Sequence, residues 1–178
     1  MERGEEMKRI AVVILAVLLL TGCTNRAKQM DEEKYNVYLT NYQSILDSED
    51  KKSSSPNFDI QLVKNEINGK YRYDLIIDNP KIAMYGIKVL MIVDNTTRTI
   101  ETDRMMPSLG MLEDKEYNLI PYQVDLEKNC YGGLNLSILD DNPAIHVSVL
   151  VNYTNREKTR NIREFFALAI SSDETVSE

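Results

Sequence analysis

The chain has 178 residues, 28 of them acidic and 21 basic, and its formal charge of −7 argues against nucleic acid as a partner, because binding to phosphate backbones is driven by Lys and Arg. Its length suits one domain of ordinary size with some additional chain, enough to bury a core. One histidine, two cysteines and no tryptophan leave little material for metal centres or disulfide staples.

Lys8 and Arg9 precede an apolar run over residues 10–20, which ends in Leu20-Thr21-Gly22-Cys23. A basic start, a short apolar centre and a small residue before the break have the layout of a secretory signal peptide. The run is too short for a transmembrane helix, which needs about 20 apolar residues to cross roughly 30 Å of hydrocarbon. Leu20-Thr21-Gly22-Cys23 resembles the lipobox of bacterial lipoproteins: an aliphatic residue, a small or hydroxyl one, a small one, then Cys. That resemblance implies cleavage between Gly22 and Cys23 and a diacylglycerol on the Cys23 sulfur. Residues 1–22 are then a signal peptide and 23–30 a lipidated polar tether, and the protein is anchored to the cell membrane on its extracytoplasmic face. Glu2, Glu5 and Glu6 are out of place before such a run, so translation from Met7 is the expected start. They offset Arg3, Lys8 and Arg9, and the mature chain keeps the charge of −7.

From Asp31, a suitable N-cap followed by Glu32 and Glu33 at the positive end of a helix dipole, apolar residues recur at three- and four-residue spacing: Tyr35, Tyr38, Leu39, Tyr42, Ile45 and Leu46. The spacing predicts an amphipathic helix over 31–47. Its stripe either docks on the sheet that follows or meets a partner protein or the lipid surface. Residues 48–57 are small, charged and without apolar periodicity, which predicts a linker and a domain boundary.

After the linker the period becomes two. Phe58, Ile60 and Leu62 alternate with polar residues, Asn68-Gly69 favours a type I′ hairpin turn, and the return strand places Tyr71, Tyr73, Leu75 and Ile77 opposite Arg72, Asp74 and Ile76. Pro80 ends that strand. Residues 85–93 are apolar on both faces and read as a central strand, and 97–103 as an edge. Strands at 117–124, 134–139, 145–153 and 162–170 follow, and 171–178 reads as a disordered tail. This predicts a mainly β domain over 58–170, an antiparallel β-sandwich of seven to eight strands preceded by one helix. Strand number and spacing resemble the immunoglobulin-like and fibronectin type III-like domains, although neither a Cys pair nor a core Trp is present.

No catalytic residue is expected. His146 falls on the face opposite Ile145, Val147 and Val149, and no Gly-x-Ser-x-Gly turn accompanies it. With Cys23 lipidated, Cys130 has no intrachain partner, and its Lys-Asn-Cys-Tyr-Gly-Gly setting reads as a turn. No metal or other cofactor is expected: zinc wants three or four ligands at set spacings, and Asp140-Asp141-Asn142 lacks the alternating acids of a calcium loop. One loop has a composition that disagrees with its position. Met105, Met106, Leu109 and Met111 lie where loops are usually polar, and methionine recurs at adaptable binding surfaces. The same residues would also serve to seal an end of the sandwich. The expected function is that of a non-enzymatic lipoprotein whose domain binds a protein partner at the cell envelope, with Met105, Met106, Leu109 and Met111 and the helix residues Tyr35, Tyr38 and Tyr42 as contact candidates. The alternative is a carbohydrate- or peptidoglycan-binding module that stacks sugars on some of its ten tyrosines. A third class, an envelope hydrolase, would need two carboxyl groups set across a cleft, with Glu113 and Asp114 as an example of such acids.

Overall fold

The computed structural model describes residues 31–94 and 105–172, so the lipobox, the tether, the expected edge strand at 97–103 and the end of the tail lie outside the described residues. The chain divides into two compact units, Met1–Val37 and Tyr38–Glu178. In the first, the described residues are 31–37, the opening turns of helix α1, which is helical over 31–46. The strands belong to the second: β1 Asp59–Ile67, β2 Lys70–Asp78, β3 Tyr85–Val93, β4 Ser108–Leu109, β5 Asn118–Leu119, β6 Cys130–Tyr131, β7 Gly133–Asp140, β8 Ile145–Thr154 and β9 Asn161–Ile170.

These strands make the second unit mainly β. One antiparallel sheet has the order β1-β2-β7 and another the order β4-β3-β8-β9. Alternation decides which residues they bury. Tyr73, Leu75 and Ile77 of β2 and Leu134 and Leu136 of β7 share one core with Ile87, Val89 and Met91 of β3, with Val147, Val149 and Val151 of β8 and with Phe166 of β9. Two inner faces meeting in one core is the arrangement of a sandwich. The register of the β1-β2 hairpin is set by Asn68-Gly69, with φ of 52° and 75°, which leaves Ile67 opposite Lys70 as a type I′ turn requires. β3 is central, as its two apolar faces predict.

The outer face of β3 and β8 carries a second core. Tyr38, Tyr42 and Ile45 of α1 pack with Leu90, Ile92, Leu150, Met106 and Met111. Arg163 Nη2 of β9 donates to Ser44 Oγ at 2.7 Å and to Asn41 Oδ1 at 3.2 Å, which ties the end of the helix to the sheet.

Residues 48–57, expected as a linker, are held on β9. The Lys52 amide donates to the Phe165 carbonyl, and the Lys52 carbonyl accepts from the Ala167 amide, both at 2.9 Å. Glu164 anchors this strap from within: it is buried, and accepts from Tyr153 Oη at 2.9 Å, Asn57 Nδ2 at 3.2 Å and Ser55 Oγ at 3.0 Å, with Lys52 Nζ 3.4 Å away. Burial, followed by the hydrogen bond to Glu164, pushes the Tyr153 hydroxyl far above its ordinary pKa, so it stays a donor.

Two sequence-based expectations fail here. The strand expected at 117–124 is confined to Asn118–Leu119, because Pro121 has no amide for a ladder and Tyr122 at φ 61° turns the chain outward. Its alternation then lies on an exposed loop, with Tyr122 and Val124 in solvent. Cys130, expected in a turn, is buried in β6, which runs parallel to β5.

Candidate functional site

Of the contact candidates named from sequence, Tyr38, Tyr42, Met106 and Met111 are each only 4 % exposed, and all four belong to the core under α1. Burial takes Tyr38, Tyr42 and Met111 out of reach of a partner, while Met106 meets the surface only where it lines the cleft described below. Leu109 is half-buried in β4 opposite Val89. Met105 is 55 % exposed, and Tyr35, in the first unit, is 46 % exposed. Gly22 and Cys23 lie outside the described residues.

The methionine loop is held against β3 by its backbone. The Met91 amide donates to the Pro107 carbonyl at 3.0 Å, and the Gly110 amide to Glu113 Oε1 at 2.7 Å. Gly110, at φ 69°, lies against the Ile87 carbonyl with no room for a Cβ. Glycine is the residue that reconciles a positive φ with so close an approach. Pinned at 107 and 110, the loop turns Met106 and Met111 inward and leaves Met105 at the lip of a cleft.

That cleft has a volume of about 610 Å³ and lies between the 105–107 segment and the β7 side of the β1-β2-β7 sheet. Ile67, Met105, Met106, Pro107, Ile138 and Leu139 supply apolar walls, and Arg72 supplies a charge. Beneath Arg72 is Asp74, an acid only 4 % exposed although it stands on the outward face of β2. Its Oδ2 accepts from Arg72 Nε and from Asn65 Nδ2, each at 2.9 Å, and its Oδ1 from the Ser137 hydroxyl. Burial alone would raise the Asp74 pKa, but the bonds from Ser137 and Arg72 and the Arg72 charge outweigh it and hold the carboxyl below the usual value. The acid is thus ionised and saturated with donors, a poor base and a good positioning group. It holds Arg72 by Nε, and among the described residues the two terminal guanidinium nitrogens have no protein partner. A guanidinium held at Nε, with its fork unpartnered among the described residues and apolar walls beside it, is suited to binding a carboxylate on a hydrophobic segment.

Elsewhere among the described residues, Glu164 is committed to the strap, and His146 points to solvent on β8 as its register predicts. Tyr117 and Tyr131 are the nearest approach to an aromatic platform, their centroids 5.3 Å apart, but the rings are inclined by 39° and Lys115 Nζ stands over both at 5.2 and 5.1 Å. A sugar would have to displace that ammonium.

Sequence reasoning did not find the cleft, although part of its signal was present: Arg72 and Asp74 at i and i+2 share the outward face of a strand, where an acid is usually hydrated rather than buried. Nothing in the sequence showed that β7 and residues 105–107 would face each other. No family model, curated protein or solved structure matches the chain.

Proposed function

We propose that this chain is a membrane-anchored lipoprotein, acylated on Cys23 and held at the extracytoplasmic face of the cell membrane, whose immunoglobulin-like domain binds a protein partner without catalysing a reaction. The anchor rests on the lipobox pattern Leu20-Thr21-Gly22-Cys23 at the end of a short apolar run. The immunoglobulin-like assignment rests on the path of the chain: β2 passes to β3 in the other sheet, β7 returns beside β2, and β8 crosses back beside β3. The observation that carries the binding function is the cleft itself, an apolar hollow of about 610 Å³ with an Arg72 guanidinium fixed at its wall.

In-cell photo-crosslinking tests this reading. A photoreactive residue at position 139 or 105 should give a discrete crosslinked species that Arg72→Glu removes, whereas the same residue at Tyr122 should give none. Crosslinks from 122 alone, or from every position alike, would refute the cleft as the binding surface. Cys23→Ala should shift the protein out of the detergent phase. Retention there with the lipid mass intact would refute the anchor, because no other residue can carry that diacylglycerol.

A further inference from the structure

The ends of the two sheets are treated unequally. β9 is covered by the strap, whose Lys52 exchanges backbone hydrogen bonds with Phe165 and Ala167. β1 carries Asp59, Lys64 and Glu66, charges of the kind that keep an edge from pairing, and β4 is two residues long. Among the described residues, β7 has none of these protections. It runs eight residues, Gly-Leu-Asn-Leu-Ser-Ile-Leu-Asp, without proline and without a charge before Asp140. Among the described residues no backbone hydrogen bond joins it to any strand but β2. Its second half is also where Ile138 and Leu139 line the cleft.

We infer that the free edge of β7 receives an extended peptide segment of the partner as an added strand, with an apolar side chain of that segment in the cleft and an Asp or Glu side chain on Arg72. This rests on the protein-binding function proposed above and specifies its mode. A bare edge supplies main-chain hydrogen bonds to any extended segment, and pockets for alternate side chains supply the selectivity. The spacing permits the ion pair. Arg72 stands opposite Leu139 on β2, and a strand added beyond β7 would lie about 10 Å from β2, two strand spacings. Arg72 lines the cleft beside Leu139, and an acidic side chain reaching over β7 from the added strand meets the guanidinium where Asp74 holds it.

A second copy of this chain fits the edge less well. Pairing β7 with β7 would offer the cleft only Leu139, which already lines it, since Leu134 and Leu136 are buried in their own core and the other outward residues are Asn135 and Ser137. A foreign segment is free to place an apolar residue there.

The test is a displayed library of random ten-residue peptides selected on the full chain in detergent micelles. Enriched peptides should alternate apolar and polar residues around one Asp or Glu, and bound peptide should slow amide exchange along β7. Replacing that acid by its amide should weaken binding about tenfold, and Arg72→Gln should erase the difference between the two peptides. Leu139→Lys, at a half-exposed position, should abolish binding with an unchanged melting midpoint. Binding that leaves β7 exchange unaltered, or that survives N-methylation of alternate peptide amides, overturns strand addition. So does failure to enrich any peptide, or a dimer in sedimentation that Leu139→Lys dissolves, which would assign the edge to a second copy. Crosslinks from position 139 that persist in any of these cases would leave the protein-binding function standing, and their absence would remove both.

Discussion

The Tyr38 hydroxyl accepts a hydrogen bond from the Met106 backbone amide at 2.8 Å, joining the helix to the methionine loop inside the core they share. Both residues drew attention in the sequence as surface candidates, and each instead completes the other's burial. The tyrosine supplies an acceptor to an amide that the loop cannot satisfy within itself, which explains a hydroxyl on an apolar helix face.

Tyr38→Phe keeps the ring and deletes that acceptor. The Met106 amide is then left buried without a partner, and the expected loss is about 1–3 kcal/mol of unfolding free energy. Urea denaturation would measure it. A midpoint equal to that of the unaltered protein would mean that water or another carbonyl reaches the amide.

The methionines separate sealing from contact. Met106→Ser and Met111→Ser each remove a side chain that is 4 % exposed, and should cost about 2–5 kcal/mol. Met105→Ser, at 55 % exposure, should stay within about 0.5 kcal/mol of the unaltered protein while weakening crosslinks from the cleft. Equal destabilisation by all three would show that the whole segment is structural.

Much of the sandwich was legible because its strands are buried on one face and read with period two: Tyr73, Leu75 and Ile77, or Val147, Val149 and Val151, could not be shifted by one residue without placing the core in water. The helix was legible for the same reason at period 3.6. The binding cleft was not, since it forms where β7 and the 105–107 segment meet, and pairing of elements distant in sequence leaves no local period. The strap was hidden differently. Residues 48–57 have the composition of a linker, and their backbone groups, to which composition is blind, fasten Lys52 to Phe165 and Ala167. At 117–124 the alternation was real and misleading, because period two without a turn at Pro121 and Tyr122 looks like a strand.

Asp74 gives the site a signature in acid. Its pKa lies below the usual 3.8, so its stabilisation is fully present above that value and is lost as pH falls through the lower, folded value. Asp74→Asn should cost about 1–3 kcal/mol near neutrality, toward the lower end because the Arg72 side chain is 44 % exposed. The gap between the two proteins should stay constant down to the region of 3.8 and narrow below it. Urea midpoints across that range decide; a gap that widens in acid would mean that Asp74 is protonated more readily folded than unfolded, against the geometry.

A chain that begins near Ser55 tests how far the second unit depends on the segment before the sandwich. If 48–57 were only a linker, the remainder would fold as a monomer. The structure predicts otherwise, on two grounds. Removing residues 38–54 uncovers Leu90, Ile92 and Leu150 on the outer face of β3 and β8, all buried, together with Met106 and Met111. It also strips Lys52 from β9, leaving a strand edge whose Phe165, Ala167 and Ala169 carry no charge to discourage pairing. The expected result is association, seen as light scattering and as binding of a hydrophobic dye. Tyr42→Ser with Ile45→Ser in the full chain isolates the first ground, since it uncovers the sheet face and leaves the strap in place. It should lower the melting midpoint and increase dye binding, with less association than the shortened chain shows. A shortened chain that stays monomeric and melts cooperatively would make the helix and strap dispensable additions to a domain already closed at residue 58.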